Sequence, residues 1–198
     1  DESRILLYGY KHNPLLNNGM LYNEKFKNDL IFYHLDRSIQ MSDEKIRSRL
    51  LGIEIDSLTG NQFLDRIDEF IQSKKPHQIS YLNADCLNKC WSNHDYREAI
   101  RNSDLVYADG MSVVWASRLF GHPLPERVNA NDLLPEFCTR AEEKKYRIFL
   151  LGGEQGVPEK AAEDLKAKYP DLQIVGYQDG YFSSKEEPEV IAKIREAQ

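Results

Sequence analysis

Short apolar runs alternate with segments of helical periodicity from Leu50 to the end of the 198-residue chain. The runs predict strands at 51–55, 78–82, 105–108, 148–151 and 172–175, with helical patterns between them. The run Ile148–Leu151 is apolar at every position, which is typical of a central strand covered on both faces. This alternation favours an α/β fold in which helices cover both faces of a parallel sheet.

The helix that follows the third strand is predicted to span Met111–Phe120. Val113, Val114 and Leu119 are available to the core on this helix. Gly121-His122-Pro123 is a helix-breaking sequence, so the helix is expected to end there.

Residues 1–48 differ in composition from the rest of the chain, because they are rich in tyrosine and asparagine. Asn17-Asn18-Gly19 predicts a turn, and Leu30–Tyr33 predicts a short strand or a helical turn. We interpret residues 1–48 as an N-terminal extension of uncertain structure and residues 49–198 as the main domain. The extension could pack on that domain or mediate contacts in a homo-oligomer.

The formal net charge is −6, which argues against a nucleic-acid-binding protein. Residues 1–49 carry 8 Lys/Arg and 7 Asp/Glu, a net of +1, which leaves −7 for the remainder. On charge alone, the main domain is expected to be attracted only weakly to an anionic membrane. No run of about 18 apolar residues and no signal-peptide pattern is present, so we expect a cytoplasmic protein.

The cysteines are predicted to be structural. Cys86 and Cys90 are four residues apart and could share a helix face, and Cys138 stands alone. No pair of histidines has ligand spacing with them, and no Asp-x-Asp sequence occurs. The sequence therefore predicts neither a metal site nor a bound cofactor.

Polar residues at two strand ends are candidates for chemistry. Asp109-Gly110 directly follows the strand at 105–108, and the carboxyl ends of parallel strands are where ligands bind in open α/β sheets. Asp109 could cap the next helix, or it could act as a general base. Asn83 ends the strand at 78–82 and could form a turn or hydrogen-bond a sugar or diphosphate.

Glycines follow the buried strand at 148–151. Gly152, Gly153 and Gly156 could let backbone amides approach an anion, or they could form only a tight turn. The sequence around them is neither a Walker loop nor a dinucleotide-binding fingerprint.

Arg127 lies in Leu124-Pro125-Glu126-Arg127-Val128, an unusual setting for a solvated arginine. It could pair with Glu126 or Asp132, or bind a phosphate. Asn131 or Asp132 is the predicted cap of the next helix, which runs to about Lys144.

Three ordered blocks between Leu50 and Gln198 resemble the WecG/TagA/CpsF family, glycosyltransferase family 26. The blocks are Ala108-Asp109-Gly110-Met111-x-Val113-Val114-Trp115-Ala116 with Pro123-Leu124-Pro125-Glu126-Arg127-Val128, Phe149-Leu150-Leu151-Gly152-Gly153 with Gly156-Val157, and Tyr169-Pro170-Asp171-Leu172-x-Ile174-Val175-Gly176 with Gly180-Tyr181-Phe182.

The resemblance implies a Rossmann-like fold and an inverting bacterial enzyme. Such enzymes move N-acetylmannosamine or a relative from UDP to an undecaprenyl-diphosphate-linked saccharide, for teichoic acid or other surface glycans. It also implies that Asp109 is the catalytic aspartate and that Tyr81, Asn83 and Arg127 lie in the substrate site. A peripheral position at the inner face of the cell membrane follows from the lipid-linked acceptor.

This chain departs from the family pattern at two places. Tyr81 stands where the family usually has threonine, which affects the expected donor sugar. The family continues beyond the position of Gln198 with a further strand, a Gly-x-Pro-Lys-Gln-Glu-type motif and a basic appendage. Membrane attachment is therefore expected from residues beyond Gln198, with residues 1–48 as the alternative anchor.

Three functions stay open on the sequence. The first is a UDP-sugar glycosyltransferase with Asp109 as the base and with backbone amides at Gly152–Gly156 stabilising the departing UDP. The second is a non-catalytic nucleotide-sugar or glycan-binding module. The third is a structural or interaction domain, which would bind no UDP-linked ligand.

Overall fold

The computed structural model describes residues 4–9, 47–73 and 75–197. The strands are β1 (Arg4–Gly9), β2 (Arg47–Leu50), β3 (Ile53–Asp56), β4 (Ile79–Leu82), β5 (Leu105–Ala108), β6 (Arg147–Gly152) and β7 (Gln173–Gln178). The helices are α1 (Gly60–Gln72), α2 (Ala84–Ser92), α3 (His94–Arg101), α4 (Met111–Leu119), α5 (Ala130–Lys144), α6 (Val157–Lys168) and α7 (Glu187–Glu196).

Most strand pairs in the described residues are parallel. β6 pairs in parallel with β1 on one side and with β7 on the other. β4 pairs in parallel with β5, and β2 forms an antiparallel hairpin with β3. From β3 onward helices connect the successive strands, and this is the α/β, Rossmann-like fold that the sequence predicts.

The predicted strand at 51–55 is wrong in its first half. Leu51 and Gly52 form the turn of the β2–β3 hairpin, with φ angles of +49° and +82°. β3 begins only at Ile53, where the alternation of buried and exposed residues resumes. The apparent alternation across Leu51-Gly52 arises because Leu51 is apolar although it is exposed in the turn, whereas the hairpin pairs buried Leu50 with buried Ile53 and so breaks the period of two.

β1 lies within the segment predicted to be an N-terminal extension. It pairs with β6 along its whole length, so that Gly9 stands opposite Gly152. The predicted turn at Asn17-Asn18-Gly19 and the predicted element at Leu30–Tyr33 lie outside the described residues.

The largest buried cluster joins the two parallel strand groups. It contains Tyr107 of β5, Ile148 and Leu150 of β6, Ile174 of β7 and the inner face of α1. Because these elements share one apolar cluster, the ends of β4 and β5 are supported by the packing of the domain as a whole.

The hairpin is tied to β5 through a buried aspartate. Asp56 accepts a hydrogen bond from the backbone N–H of Val106 at 2.9 Å and another from Nε of Arg47 at 3.1 Å. The carboxylate therefore satisfies a β5 amide and a charged side chain from the hairpin at once. Beyond its end, β5 continues directly into Asp109.

No helix in the described part of the chain is long and apolar enough to cross a membrane.

Candidate active site

Asn83 and Asp109 come together at the carboxyl ends of β4 and β5. The register pairs Leu82 with Ala108, and the backbone N–H of Asp109 donates to the carbonyl of Leu82 at 3.0 Å. Gly110 follows at close range, since a Cβ on it would lie 3.5 Å from Cβ of Asn83. The two predicted strand ends therefore lie next to each other at one edge of the β4–β5 sheet.

The carboxylate of Asp109 is not a helix cap. The N-cap of α4 is Gly110, and no side chain caps this helix. Asp109 instead accepts a hydrogen bond from Nδ2 of Asn129 at 2.8 Å and is half-buried. Of the two interpretations of Asp109 that the sequence left open, the cap is excluded. What remains is an oriented carboxylate at a strand end.

Asn129 was not identified from the sequence, yet it holds Asp109 in place. Its Oδ1 accepts from the backbone N–H groups of Asn131 and Asp132 at 2.9 and 3.2 Å and so caps α5. The predicted cap, Asn131 or Asp132, is therefore wrong by two or three residues. An asparagine just before an apolar helical pattern is itself a capping signal and could have located it.

The backbone around Asn129 is fixed to β5. The N–H of Val128 donates to the carbonyl of Ala108 at 3.0 Å, and the Val128 side chain is buried. Val128 thus continues the hydrogen bonding of β5 next to Asp109. Ala108 and Val128, which directly precede Asp109 and Asn129, are thus hydrogen-bonded to each other. The Asp109 carboxylate therefore has a defined orientation.

Asn83 caps α2. Its Oδ1 accepts from the backbone N–H of Cys86 at 2.9 Å. This accounts for the asparagine at the strand end, and its side-chain amide is still at the edge shared with Asp109. Its role toward a sugar or a diphosphate stays a prediction.

Aromatic rings pack in the core next to this edge. The rings of Tyr81 and Tyr107 lie 6.4 Å apart, and those of Phe63 and Tyr107 lie 4.6 Å apart. Burial raises the pKa of Tyr107 well above its usual range, and the nearby charge of Asp109 raises it further. Tyr107 therefore stays neutral below Asp109, and the half-buried Tyr81 lies beside it.

Arg127 forms an ion pair with Asp132. Its other predicted partner, Glu126, instead accepts from the backbone N–H of Gly60 at 2.6 Å. The Arg127 side chain is exposed, so an exchange of Asp132 for a phosphate would meet no steric barrier from burial. Phosphate binding by Arg127 stays a prediction.

The glycines at the end of β6 and directly after it are required by geometry. Gly153 has φ of +75° and a Cβ on it would lie 2.9 Å from Cγ1 of Val157. Gly156 has φ of +84° and precedes α6, which has no side-chain cap. Gly152 is approached by Gly180, where a Cβ would lie 3.0 Å from the Gly152 Cα. The glycines therefore form the tight turn that the sequence left open. Anion binding by the backbone amides of this turn stays a prediction.

All three cysteines are buried and free. Burial raises the pKa of Cys90 and of Cys138 to about 11, so both thiols stay protonated at neutral pH. In the part of the chain that the structure describes, no three His, Cys, Asp or Glu side chains form a group that could hold a metal ion.

Comparison with known proteins identifies one family. The model of the glycosyl transferase WecG/TagA/CpsF family matches residues 48–198. A protein of Bacillus subtilis (strain 168), N-acetylglucosaminyldiphosphoundecaprenol N-acetyl-beta-D-mannosaminyltransferase, is 31% identical over 124 residues, which is 62% of this chain and 48% of that protein. A protein of the same description from Staphylococcus aureus (strain NCTC 8325 / PS 47) is 27% identical over 148 residues, 74% of this chain and 58% of the relative. The chain thus spans about half the length of these curated relatives.

Proposed function

Because this chain belongs to the WecG/TagA/CpsF family of glycosyltransferases, we propose that it transfers N-acetylmannosamine, or a closely related sugar, from UDP to a saccharide on a polyprenyl diphosphate. The names of its relatives describe a mannosaminyl transfer to a diphosphoundecaprenol-linked sugar. The observation that carries the proposal is the Asp109 carboxylate, which is oriented by Asn129 and is not used as a helix cap.

Asp109 acts as the general base. Its carboxylate takes the proton from the acceptor hydroxyl as that oxygen attacks the anomeric carbon of the donor sugar. The bond from the anomeric carbon to the UDP oxygen breaks in the same displacement, and UDP leaves with the electron pair. A single displacement without an enzyme nucleophile inverts the anomeric centre.

The leaving diphosphate is stabilised by dipoles and an arginine. Backbone amides around Gly152, Gly153 and Gly156 lie before the N-terminus of α6, which has no side-chain cap. Arg127 adds a guanidinium, after it exchanges Asp132 for a phosphate oxygen. Tyr81 and Asn83 contact the donor sugar beside Asp109. This arrangement requires the carboxyl ends of β5 and β6 to open onto one crevice.

The test is direct transfer. The protein is incubated with UDP-N-acetylmannosamine and an N-acetylglucosamine-diphosphoprenol acceptor, and the disaccharide product is quantified. Formation of the product with an inverted anomeric centre supports the proposal. Binding of UDP without any transfer would assign a nucleotide-sugar-binding module instead, and no binding of UDP would leave a structural or interaction domain.

Asn129→Ser is expected to reduce transfer by about 10–100-fold, because a hydrogen bond to a charged group contributes about 1.5–3 kcal/mol. Serine is also a good N-cap, so α5 and the stability of the protein should be kept. The loss should appear in kcat rather than in KM for the donor.

Asn129→Ala is the matched control for that variant. It removes the cap as well as the donor and should lower the free energy of unfolding by about 1 kcal/mol. Full activity of Asn129→Ser would show that the contact with Asp109 has no role in transfer.

Transfer is expected to persist in excess chelator. The sequence has no Asp-x-Asp, and the mechanism assigns neutralisation of the diphosphate to amides and Arg127. The measurement compares initial rates with and without a chelator such as EDTA. Abolished transfer that is restored by a divalent cation would contradict this assignment.

Because the proposed acceptor is lipid-linked, the reaction takes place at a membrane. A polyprenyl-diphosphate-linked sugar is held in the bilayer, so the enzyme works as a peripheral protein at the inner face of the cell membrane. In this proposal the transferase domain spans residues 49–198, and β1 (Arg4–Gly9) adds a strand beside its β6. Self-association can be tested by sedimentation analysis.

A further inference from the structure

Helix α4 turns an apolar face to solvent. Met111, Trp115 and Leu119 follow one another at intervals of four residues and therefore lie along one side of the helix. Phe120 follows at its C-terminal end. The exposed fractions are 41% for Met111, 62% for Trp115, 83% for Leu119 and 59% for Phe120. We call these four side chains the α4 face. Leu119, which the sequence predicts to be available to the core, is the most exposed of them.

The opposite side of α4 is firmly attached to the protein. Val113 and Val114 are buried. The hydroxyl of Ser117 donates to the Val114 carbonyl at 2.7 Å and accepts from the N–H of Leu124 at 3.0 Å. At the end of the helix, the hydroxyl of Ser48 donates to the carbonyl of His122 at 2.7 Å. The α4 face therefore cannot turn inward without breaking this packing.

The α4 face starts at the candidate site. Met111 is two residues after Asp109, and a helix of 9 residues is about 14 Å long. Residues 110–125 contain no Asp or Glu, although the whole chain has a net charge of −6. The charged or titratable side chains of this segment are Arg118, which is exposed, and His122. A local apolar surface with a basic residue and no carboxylate suits an anionic, partly apolar partner.

We propose that the α4 face rests on the surface of a lipid bilayer and holds the Asp109 site there. A helix with exposed Trp, Phe and Leu on one side and a basic residue beside them is the kind that lies in a membrane interface. Arg118 can extend its charged end toward lipid phosphates while its stem covers apolar surface. This inference rests in part on the proposed function, since a lipid-linked acceptor explains why the face adjoins the site.

The dimensions of the α4 face favour a bilayer over a second copy of the chain. A strip about 14 Å long and about 10 Å wide is far smaller than the roughly 800 Å² per partner of a stable protein interface. An isologous dimer through this strip would also include two copies of Arg118 without a carboxylate from residues 110–125 to pair with them.

The two tryptophans of the chain provide a matched pair of reporters. Trp91 on α2 is 80% exposed and lies outside the α4 face, whereas Trp115 lies within it. Trp91→Phe leaves Trp115 as the reporter, and Trp115→Phe leaves Trp91. With phosphatidylcholine vesicles containing phosphatidylglycerol, the emission of Trp115 should shift to the blue and that of Trp91 should stay unchanged. Equal shifts of both, or no shift of Trp115, would overturn the proposal.

Vesicle co-sedimentation measures the contribution of the face. Trp115→Ser and Leu119→Ser should each weaken binding by at least about tenfold, because each removes a large apolar side chain from the lipid contact. Trp91→Ser should bind like the unmodified chain. Because these side chains are exposed, the melting temperature should not change in any of the three variants. Binding should also survive salt that screens surface charges.

Further outcomes would contradict the inference. Binding that survives both α4 substitutions would place the membrane contact elsewhere, for example in residues 1–48. Binding abolished by salt alone would indicate a purely electrostatic contact. A blue shift of Trp115 that depends on protein concentration without lipid would assign the face to a second copy.

No donor or acceptor is present in these assays, so their result is independent of transfer. Vesicle binding without transfer would refute the proposed function alone, and transfer to a soluble short-chain acceptor without vesicle binding would refute this inference alone.

Discussion

Asp109→Asn is expected to reduce sugar transfer by about 10²–10⁴-fold, the usual scale for loss of a general base. Asparagine has nearly the same shape as aspartate and can still accept the hydrogen bond from Nδ2 of Asn129. It cannot take up the proton of the acceptor hydroxyl. Donor binding and the free energy of unfolding should therefore change little, while kcat falls.

The measurement compares kcat, KM for the UDP-sugar and the urea denaturation midpoint of the two proteins. Asp164→Asn is a suitable control, because Asp164 is an exposed carboxylate that pairs with Lys160 on α6. This control should keep full activity. Full activity of Asp109→Asn would remove Asp109 from the mechanism. Asparagine would also be an adequate replacement if Asp109 were only a helix cap, but the geometry already excludes that interpretation.

Asp68→Ala is expected to lower the free energy of unfolding by about 2–3 kcal/mol, because it leaves the buried Tyr146 hydroxyl without an acceptor and removes charge-assisted hydrogen bonds from a partly buried network. Asp68 of α1 is buried and accepts from the hydroxyl of Tyr146 at 2.8 Å, from Nζ of Lys144 at 2.6 Å and from Arg140 at 3.3 Å. The network joins α1 to α5 and to the start of β6. Its loss would leave the buried Tyr146 hydroxyl without its acceptor.

Urea denaturation of matched variants checks this result. Asp65→Ala removes an exposed carboxylate that pairs with the same Arg140, and it should cost less than about 1 kcal/mol. Adding Tyr146→Phe to Asp68→Ala should cost less than the sum of the two single changes, because the orphaned hydroxyl is then absent. Strict additivity would mean that the Asp68–Tyr146 hydrogen bond contributes nothing.

Local patterns were sufficient to locate most strands, because the period of apolar residues depends only on neighbours in the chain. The strands at 105–108 and 148–151 were predicted within one residue of β5 and β6 at their ends. The end of α4 was also predicted. Gly121 has φ of +80°, and the N–H groups of Gly121 and His122 donate to the carbonyls of Arg118 and Ser117.

Contacts between distant residues could not be predicted in this way. Asn129 reaches Asp109 only because the segment after α4 returns to β5, where Val128 bonds to Ala108. Nothing in the spacing of Asp109 and Asn129 reveals that return. The family resemblance placed Asp109 in a site, but only the tertiary structure excludes it as the helix cap.

The orientation of α4 shows most clearly what the sequence determined and what the tertiary structure decided. Its sequence determined that a helix starts at Met111 and ends before Gly121, since these are local signals. The sequence has apolar residues all round this helix, so periodicity alone does not say which side meets the core. Tertiary packing decided it, because Val113 and Val114 pack against β5 and the hairpin, and Trp115 and Leu119 were thereby left in solvent. The strand ends and their chemical groups were thus determined by the sequence, whereas the side chain that orients Asp109 and the surface that adjoins it were decided by which faces pack together.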